Sequence, residues 1–237
     1  ALQITALGNA GSLPDSIRVT ALDDWAACRL RFGLKHALPW PQQREEAAMR
    51  YEQLRGIFVH KVLEKTAQHM VLPGQPVNQL QAWKQTLLDQ ARLVWNNLEL
   101  AQQATVYPFL KFFDQIVPRL AGKLMERQIQ GWQFKGAEQK VEHKLVLQPG
   151  GASLALKGRV DRLDMRGDSL AVSDIKFTNP AVLKKRLADP LSQPQLPAYQ
   201  AMLNKPGAQL DFLGLHKDKV DWVSFPPLSD EYREHGF

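Results

Sequence analysis

Two neighbouring segments that carry acidic residues among apolar ones constrain this chain most. They read GRVDRLD (158–164) and LAVSDIKF (170–177). Their alternation, with a short polar turn between them, predicts two strands of a hairpin. Asp161 lies in the first strand. Asp174 and Lys176 share one face of the second, because side chains two residues apart on a strand point to the same side.

A half-buried face with two carboxylates and an ammonium group is costly to remove from water. A divalent cation between the carboxylates lowers that cost, and such a face is typical of metal-dependent chemistry on phosphodiesters. The Asp-x-Lys pattern alone is common, however, and most examples are solvated charges of an edge strand. The interpretation as a metal site therefore depends on further parts elsewhere in the chain.

A candidate imidazole ligand lies in GIFVHKVLEK (56–65), whose apolar periodicity predicts a helix. Gly56, His60 and Glu64 are spaced four residues apart and share one helix face. A neutral imidazole can bind a metal, and Gly56 would let another backbone approach closely. The alternative is a surface histidine beside a glutamate that forms a salt bridge.

Two more segments complete the set. VEHKLVL (141–147) alternates like a half-buried strand and places Glu142 upstream of the acidic strands. In QPQLPAYQAML (193–203), Gln195 and Tyr199 lie one turn apart on a predicted helix, whose first turn tolerates proline. This pair could hydrogen-bond phosphate oxygens or Lys176, or it could be a simple amphipathic contact.

In this order, the motifs resemble those of the PD-(D/E)XK nuclease superfamily. Within it they are similar to the RecB/AddB-type nuclease domain at the C-terminus of bacterial recombination helicase-nucleases. The resemblance covers about residues 17–222, and segment 16–38 is similar to the first helix of that family. It implies a mixed α/β (α+β) fold with a restriction-endonuclease-like core, in which helices flank a central mixed sheet and form an N-terminal layer.

The resemblance also implies roles for individual residues. The metal ligands would be His60, Asp161, Asp174 and the main-chain carbonyl of Ile175, and Lys176 would orient and help deprotonate the attacking water. Glu142 would be a further ligand or a partner of Lys176, and Gln195 and Tyr199 would support the site. Oxygen ligands with one imidazole suit Mg²⁺ or Mn²⁺.

The net charge of +6 is consistent with a polyanionic partner. Basic residues near the motifs could follow a nucleic-acid backbone, and the candidates are Arg159, Arg162, Lys184 and Lys185. For the two lysines, a solvated helix end explains the charges equally well.

Two positions depart from the family pattern. Phe177 follows the lysine, where family members often carry Ser or Thr. Many AddB-type domains hold an iron–sulfur cluster with four cysteines, whereas this chain has only Cys28. We therefore expect no cluster and expect Cys28 to be a small buried residue of the first helix. A single cysteine fits a reducing cytoplasm, and no apolar run is long enough to cross a bilayer, so no membrane contact is expected.

The domain organisation follows from hydrophobic periodicity and from the positions of glycine and proline. Residues 1–15 read as a linker and 16–237 as the nuclease domain, with a helical part over about 22–130 and a sheet core over about 137–225. Helices are predicted at 22–36, 44–71, 78–101, 107–130, 180–187 and 195–204. Strands are predicted at 138–148, 153–165, 169–177, 208–217 and 220–225.

These features predict a Mg²⁺-dependent deoxyribonuclease of the exonuclease type, acting in DNA repair or recombination. Its partners would be DNA and helicase domains of the same or another chain. The alternative is a catalytically weak or inactive DNA-binding or docking module, and a third option is an RNA-directed or structure-specific nuclease. The complete set of His60, Asp161, Asp174 and Lys176 favours the active enzyme.

Overall fold

The computed structural model describes residues 16–37, 46–146, 153–188 and 192–226. The predicted linker 1–15 lies outside these residues. The helices are α1 (Ala21–Ala27), α2 (Arg29–Phe32), α3 (Glu46–Met70), α4 (Leu80–Asn96), α5 (Leu100–Ile129), α6 (Pro180–Arg186) and α7 (Gln195–Met202). The strands are β1 (Ser16–Arg18), β2 (Gln133–Val146), β3 (Ser153–Arg166), β4 (Ser169–Lys176), β5 (Gln209–Leu215) and β6 (Val220–Ser224).

The six strands form one mixed sheet. Its order is β1–β3–β4–β5–β6, with β2 paired to β3. The pairs β2–β3, β3–β4 and β5–β6 are antiparallel, whereas β1–β3 and β4–β5 are parallel. A mixed sheet flanked by helices confirms the predicted fold class, including its restriction-endonuclease-like core.

Strand β3 carries different partners on its two edges. Strand β2 follows it along its whole length, while β1 pairs with Ala155–Lys157 and β4 with Arg162–Arg166. Between β1 and β4, the Tyr199 hydroxyl donates to the Arg159 carbonyl at 2.8 Å and accepts from the Arg159 amide at 3.4 Å. Tyr199 thus provides the hydrogen bonds that a neighbouring strand would otherwise supply.

Two hydrophobic cores hold helices on opposite faces of the sheet. On one face α3, α4 and α5 pack around Phe58 and Phe113, whose rings meet edge to face with centroids 5.9 Å apart. On the other face, α6 and α7 cover Val160 and Phe212. Helices α3 and α7 therefore approach the β3–β4 junction from opposite sides.

Most predicted helices and strands are present, with three differences. The predicted helix at 22–36 is interrupted at Cys28, whose backbone is extended (φ −166°, ψ 115°), and a π-helical turn (Gly33–Ala37) ends it. The expectation of a buried Cys28 was wrong, because this interruption leaves the thiol exposed. Strand β1 was not predicted, and α5 begins at Leu100, earlier than the helix predicted at 107–130. In the described part of the chain, no helix has the length and apolarity needed to cross a membrane.

Candidate active site

One half of the candidate site lies between α3 and the β2–β3 hairpin. His60 Nδ1 is 3.0 Å from Glu138 Oε1 and 3.5 Å from Asp161 Oδ1. One ligand atom from each of these residues lies within 4.8 Å of the others. The second oxygen of Asp161 accepts the Ile175 amide at 2.8 Å, which ties this half to β4 at the point where β4 leaves β3.

The other half lies where β4 meets α7. Gln195 donates to Asp174 Oδ1 at 2.8 Å and accepts from the Lys176 ammonium at 2.7 Å. Lys176 Nζ also forms an ion pair with Asp174 Oδ2 at 3.0 Å. The Gln195 side chain therefore fixes the carboxylate and the ammonium relative to each other.

The carboxylates of the two halves repel one another. Burial and the nearby Asp174 charge raise the pKa of Asp161 to about 7. Burial lowers the pKa of His60, but the hydrogen bond to Glu138 and the Asp161 charge outweigh it, so the pKa of His60 is raised. Burial likewise opposes the charge of Lys176, yet Asp174 raises the pKa of Lys176 above its usual value. The raised pKa values favour the protonated forms of Asp161 and His60, and a bound cation would displace those protons.

Asp23 on α1 is a further carboxylate that belongs to this electrostatic group. Burial raises the pKa of Asp23 to about 6, against the attraction of Lys176 and together with the repulsion of Asp174. Its Oδ1 atom is buried without a hydrogen-bond partner. Strand β1 pairs with β3 and is followed directly by α1, which explains how an N-terminal residue reaches the site. No sequence motif marked Asp23.

The donor set fits a divalent cation. His60, Glu138 and Asp161 offer one imidazole and two carboxylates, and Asp174 adds a buried carboxylate nearby. Hard oxygen donors with a single imidazole are the ligands that Mg²⁺ or Mn²⁺ takes. The Ile175 backbone lies beside these groups, and the role of its carbonyl as a ligand stays a prediction.

The structure gathers some predicted site residues and separates others. His60, Asp161, Asp174, Lys176 and Gln195 lie together, as described above. Tyr199 bonds the backbone of Arg159 instead of reaching Lys176. Glu142 lies away from the cluster: its side chain is 62% exposed and lies 3.8 Å from Lys157.

Glu138 occupies the place that sequence analysis gave to Glu142. Ala137 and Gln139 pair with Arg162 and Val160, so the register puts Glu138 opposite Asp161. Its φ of 53° is uncommon for a residue with a side chain and marks strain at this position. The signal available in the sequence was alternation: Glu138 lies four residues before Glu142 and therefore on the same face of the strand.

The predicted nucleic-acid-binding residues differ in their surroundings. The Arg159 side chain is 59% exposed, with Nε 2.7 Å from Glu138 Oε2. Arg162 is buried and its Nη2 lies 2.8 Å from Asp164 Oδ1. Its guanidinium is therefore not available to a nucleic-acid strand at the protein surface. Lys184 and Lys185 are exposed in the last turn of α6.

Two positions next to the motifs have surroundings that the sequence did not predict. Open space surrounds Gly56, so the expected close backbone approach was wrong. Phe177, which replaces the hydroxyl residue of the family pattern, lies under the Arg55 guanidinium at 4.3 Å. It also meets Phe109 edge to face with ring centroids 5.6 Å apart. It therefore anchors the end of β4 to the helical layer.

Comparison with known protein families matches residues 16–222 to the PD-(D/E)XK nuclease superfamily. The match spans most of the chain, which therefore belongs to this superfamily. Membership indicates a nuclease, and such nucleases use divalent metals. No curated protein matches the chain significantly. A solved structure titled "Crystal structure of SSO0001" is similar at a TM-score of 0.36 and 14% identity, covering 94% of this chain and 73% of that one.

Proposed function

We propose that this protein is a Mg²⁺- or Mn²⁺-dependent deoxyribonuclease domain of the RecB/AddB type. In this proposal it acts as an exonuclease in the cytoplasm during DNA repair or recombination, together with helicase domains of the same or a partner chain. One observation carries the proposal: Asp161 contacts His60 and also accepts the amide of Ile175, next to the Asp174–Lys176 pair. The candidate metal ligands therefore lie beside a half-buried ammonium, which supports the proposal.

Different residues of the candidate site would supply different parts of the chemistry. A divalent cation held by His60, Glu138, Asp161 and Asp174 would activate water and neutralise charge on the scissile phosphate. The raised pKa of Lys176 keeps it an ammonium at neutral pH. It would therefore offer a positive charge to the phosphate oxygens and to the transition state, beside the attacking water.

Gln195 and Tyr199 support this arrangement through hydrogen bonds within the protein. Gln195 holds the Lys176 ammonium and the Asp174 carboxylate in place through two hydrogen bonds. Tyr199 holds β3 through both backbone groups of Arg159, close to Asp161. Positioned groups of this kind reduce the reorganisation that the reaction would otherwise require.

End-labelled linear DNA, single- and double-stranded, and RNA of the same sequence test the proposal. We expect cleavage of DNA with Mg²⁺ or Mn²⁺ and none in the presence of a chelator. Cleavage of RNA alone would support the RNA-directed alternative. DNA binding without cleavage under any metal condition would support the docking module and contradict the proposed activity.

A further inference from the structure

The β2–β3 hairpin extends as a two-stranded ribbon beyond the part of the sheet that β4 covers. Strand β4 pairs only with Arg162–Arg166 of β3, whereas β2 pairs with β3 from Met165 to Ser153. One face of this ribbon is closed, because Leu156 and Val160 are buried under α7 and Gly158 contacts Tyr199. The opposite face is open to solvent along the same stretch.

The open face is basic. Lys140 pairs with Arg159 and Glu142 with Lys157, and directly paired residues project to the same side of an antiparallel ribbon. Lys144 lies on this face as well, two residues beyond Glu142. The side chains of Lys157 and Arg159 are 52% and 59% exposed, and Lys140 and Lys144 are exposed too. Four cations and one carboxylate therefore line this face.

This basic face leads directly into the candidate active site. Glu138 and Asp161 continue the same rows of alternating side chains, Glu138 two residues before Lys140 and Asp161 two residues after Arg159. At the boundary, Arg159 contacts Glu138 at 2.7 Å. Lys61 of α3 adds further positive charge near Glu138. The candidate metal ligands Glu138 and Asp161 and the basic side chains of the ribbon thus form one continuous surface.

We propose that the open face of the β2–β3 ribbon is the surface along which the phosphate backbone of one DNA strand lies on its way to the active site. This inference rests on the proposed function and adds the path of the substrate to it. The ribbon is two side chains wide, which suits a single backbone, and its lysines would contact phosphates without reading base sequence. Lys140, Lys144 and Lys157 are the new contact residues, joined at the site by Arg159.

The test replaces two ribbon lysines that lie outside the catalytic group. Lys140→Glu/Lys157→Glu and the milder Lys140→Gln/Lys157→Gln are compared with wild type for binding of labelled single-stranded and duplex DNA of about 30 nucleotides, with Ca²⁺ in place of Mg²⁺. We expect the glutamate pair to weaken single-strand binding about tenfold or more. The glutamine pair should reduce the salt dependence, the slope of log K against log salt concentration, by about 1.4. In cleavage assays KM should rise while kcat stays near wild type.

The matched control is Lys205→Glu/Lys217→Glu, which makes the same charge change on exposed loops before and after β5. Strand β5 is separated from β3 by β4. An equal loss in this control would overturn the ribbon proposal, because net charge alone would explain the effect. Wild-type binding by both ribbon variants would also overturn it and leave the nuclease proposal standing. A wild-type protein that neither binds nor cuts DNA would remove both.

Discussion

At the residue scale, Glu138 is the candidate metal ligand that the sequence motifs did not mark. Its carboxylate joins His60 to Arg159, whereas Glu142, four residues along the same strand, is exposed. We expect Glu138→Gln to weaken Mn²⁺ binding about tenfold or more, and Glu142→Gln to leave it unchanged. Isothermal titration calorimetry of the two variants decides this point. Equal affinities in the two variants would exclude Glu138 from the site.

Asp23 gives the metal-free protein a defined pH dependence. Its folded-state pKa of about 6 lies above the ordinary 3.8, so the folded protein binds a proton more tightly than the unfolded chain does. The contribution of Asp23 to stability therefore falls as pH rises from about 4 to 6. Asp23→Asn should raise the free energy of unfolding above this range, by about 2–3 kcal/mol at most, and have little effect below it.

Asp24 is the matched control for this prediction. Burial opposes its charge, but the hydrogen bonds from His36 and Lys35 outweigh burial and lower the pKa of Asp24. Asp24→Asn should therefore destabilise the protein at about pH 8 and still at about pH 4, because the wild-type carboxylate stays charged down to its lowered pKa. Urea unfolding with a chelator present, at about pH 4 and about pH 8, measures both variants. Changes of the same sign in the two variants would contradict the assignment.

At the scale of elements, the register of the β2–β3 hairpin decides which glutamate reaches the site. Alternation in the sequence predicted both strands and a shared face for Asp174 and Lys176. It could not choose between Glu138 and Glu142, because both lie on one face and only the register with β3 separates them. Strand β1 is three residues long, too short for a periodic signal, and Asp23 joins the site only through its pairing.

The contact between β3 and α7 depends on Gly158. A Cβ atom there would lie 2.5 Å from Tyr199 Cε1 and 2.9 Å from Val19 Cγ2, so Tyr199 would have to move. Gly158→Ala should lower the free energy of unfolding by about 1–3 kcal/mol. It should also reduce cleavage, because the Tyr199 hydroxyl holds β3 next to Asp161. Chemical denaturation measures the first effect.

Gly136 in β2 is the control for this change, since a Cβ atom there meets open space. Gly136→Ala should leave stability unchanged or slightly increased, as alanine costs less conformational entropy than glycine. Equal destabilisation by the two alanine variants would show that the contact with Tyr199 is not the reason.

At the scale of the whole molecule, a buried charge network joins the helical layer to the sheet. Arg127 of α5 donates to Asp164 of β3 at 2.7 Å and to Asp211 of β5 at 3.0 Å, and all three residues are buried. Its guanidinium also lies 4.1 Å from the Trp222 ring centroid. The network spans β3 to β5 and thereby fixes β4, which lies between them and carries Asp174 and Lys176.

Removing Arg127 should therefore be costly for the entire fold. Arg127→Ala leaves buried carboxylates without their partner, and we expect a loss of about 3–5 kcal/mol in the free energy of unfolding. Arg119→Ala lies on the exposed side of the same helix, where the side chain donates to the Gln115 and Lys217 carbonyls, and should change it by less than about 0.5 kcal/mol. Comparable losses in a urea titration would mean that the network does not support the fold.

The central claim, that the Asp174–Lys176 pair performs metal-dependent phosphodiester hydrolysis, is tested most directly by single-turnover cleavage of linear DNA at saturating Mg²⁺. Lys176→Ala should keep its circular dichroism spectrum and most of its Mn²⁺ binding, and lose about 10²–10³-fold in rate, because the charge facing the phosphate is gone. The exposed Lys205→Ala serves as the control and should cut like wild type. A Lys176→Ala protein that cuts within about threefold of wild type, well below the tenfold change that corresponds to ~1.4 kcal/mol, would contradict the assignment of this site.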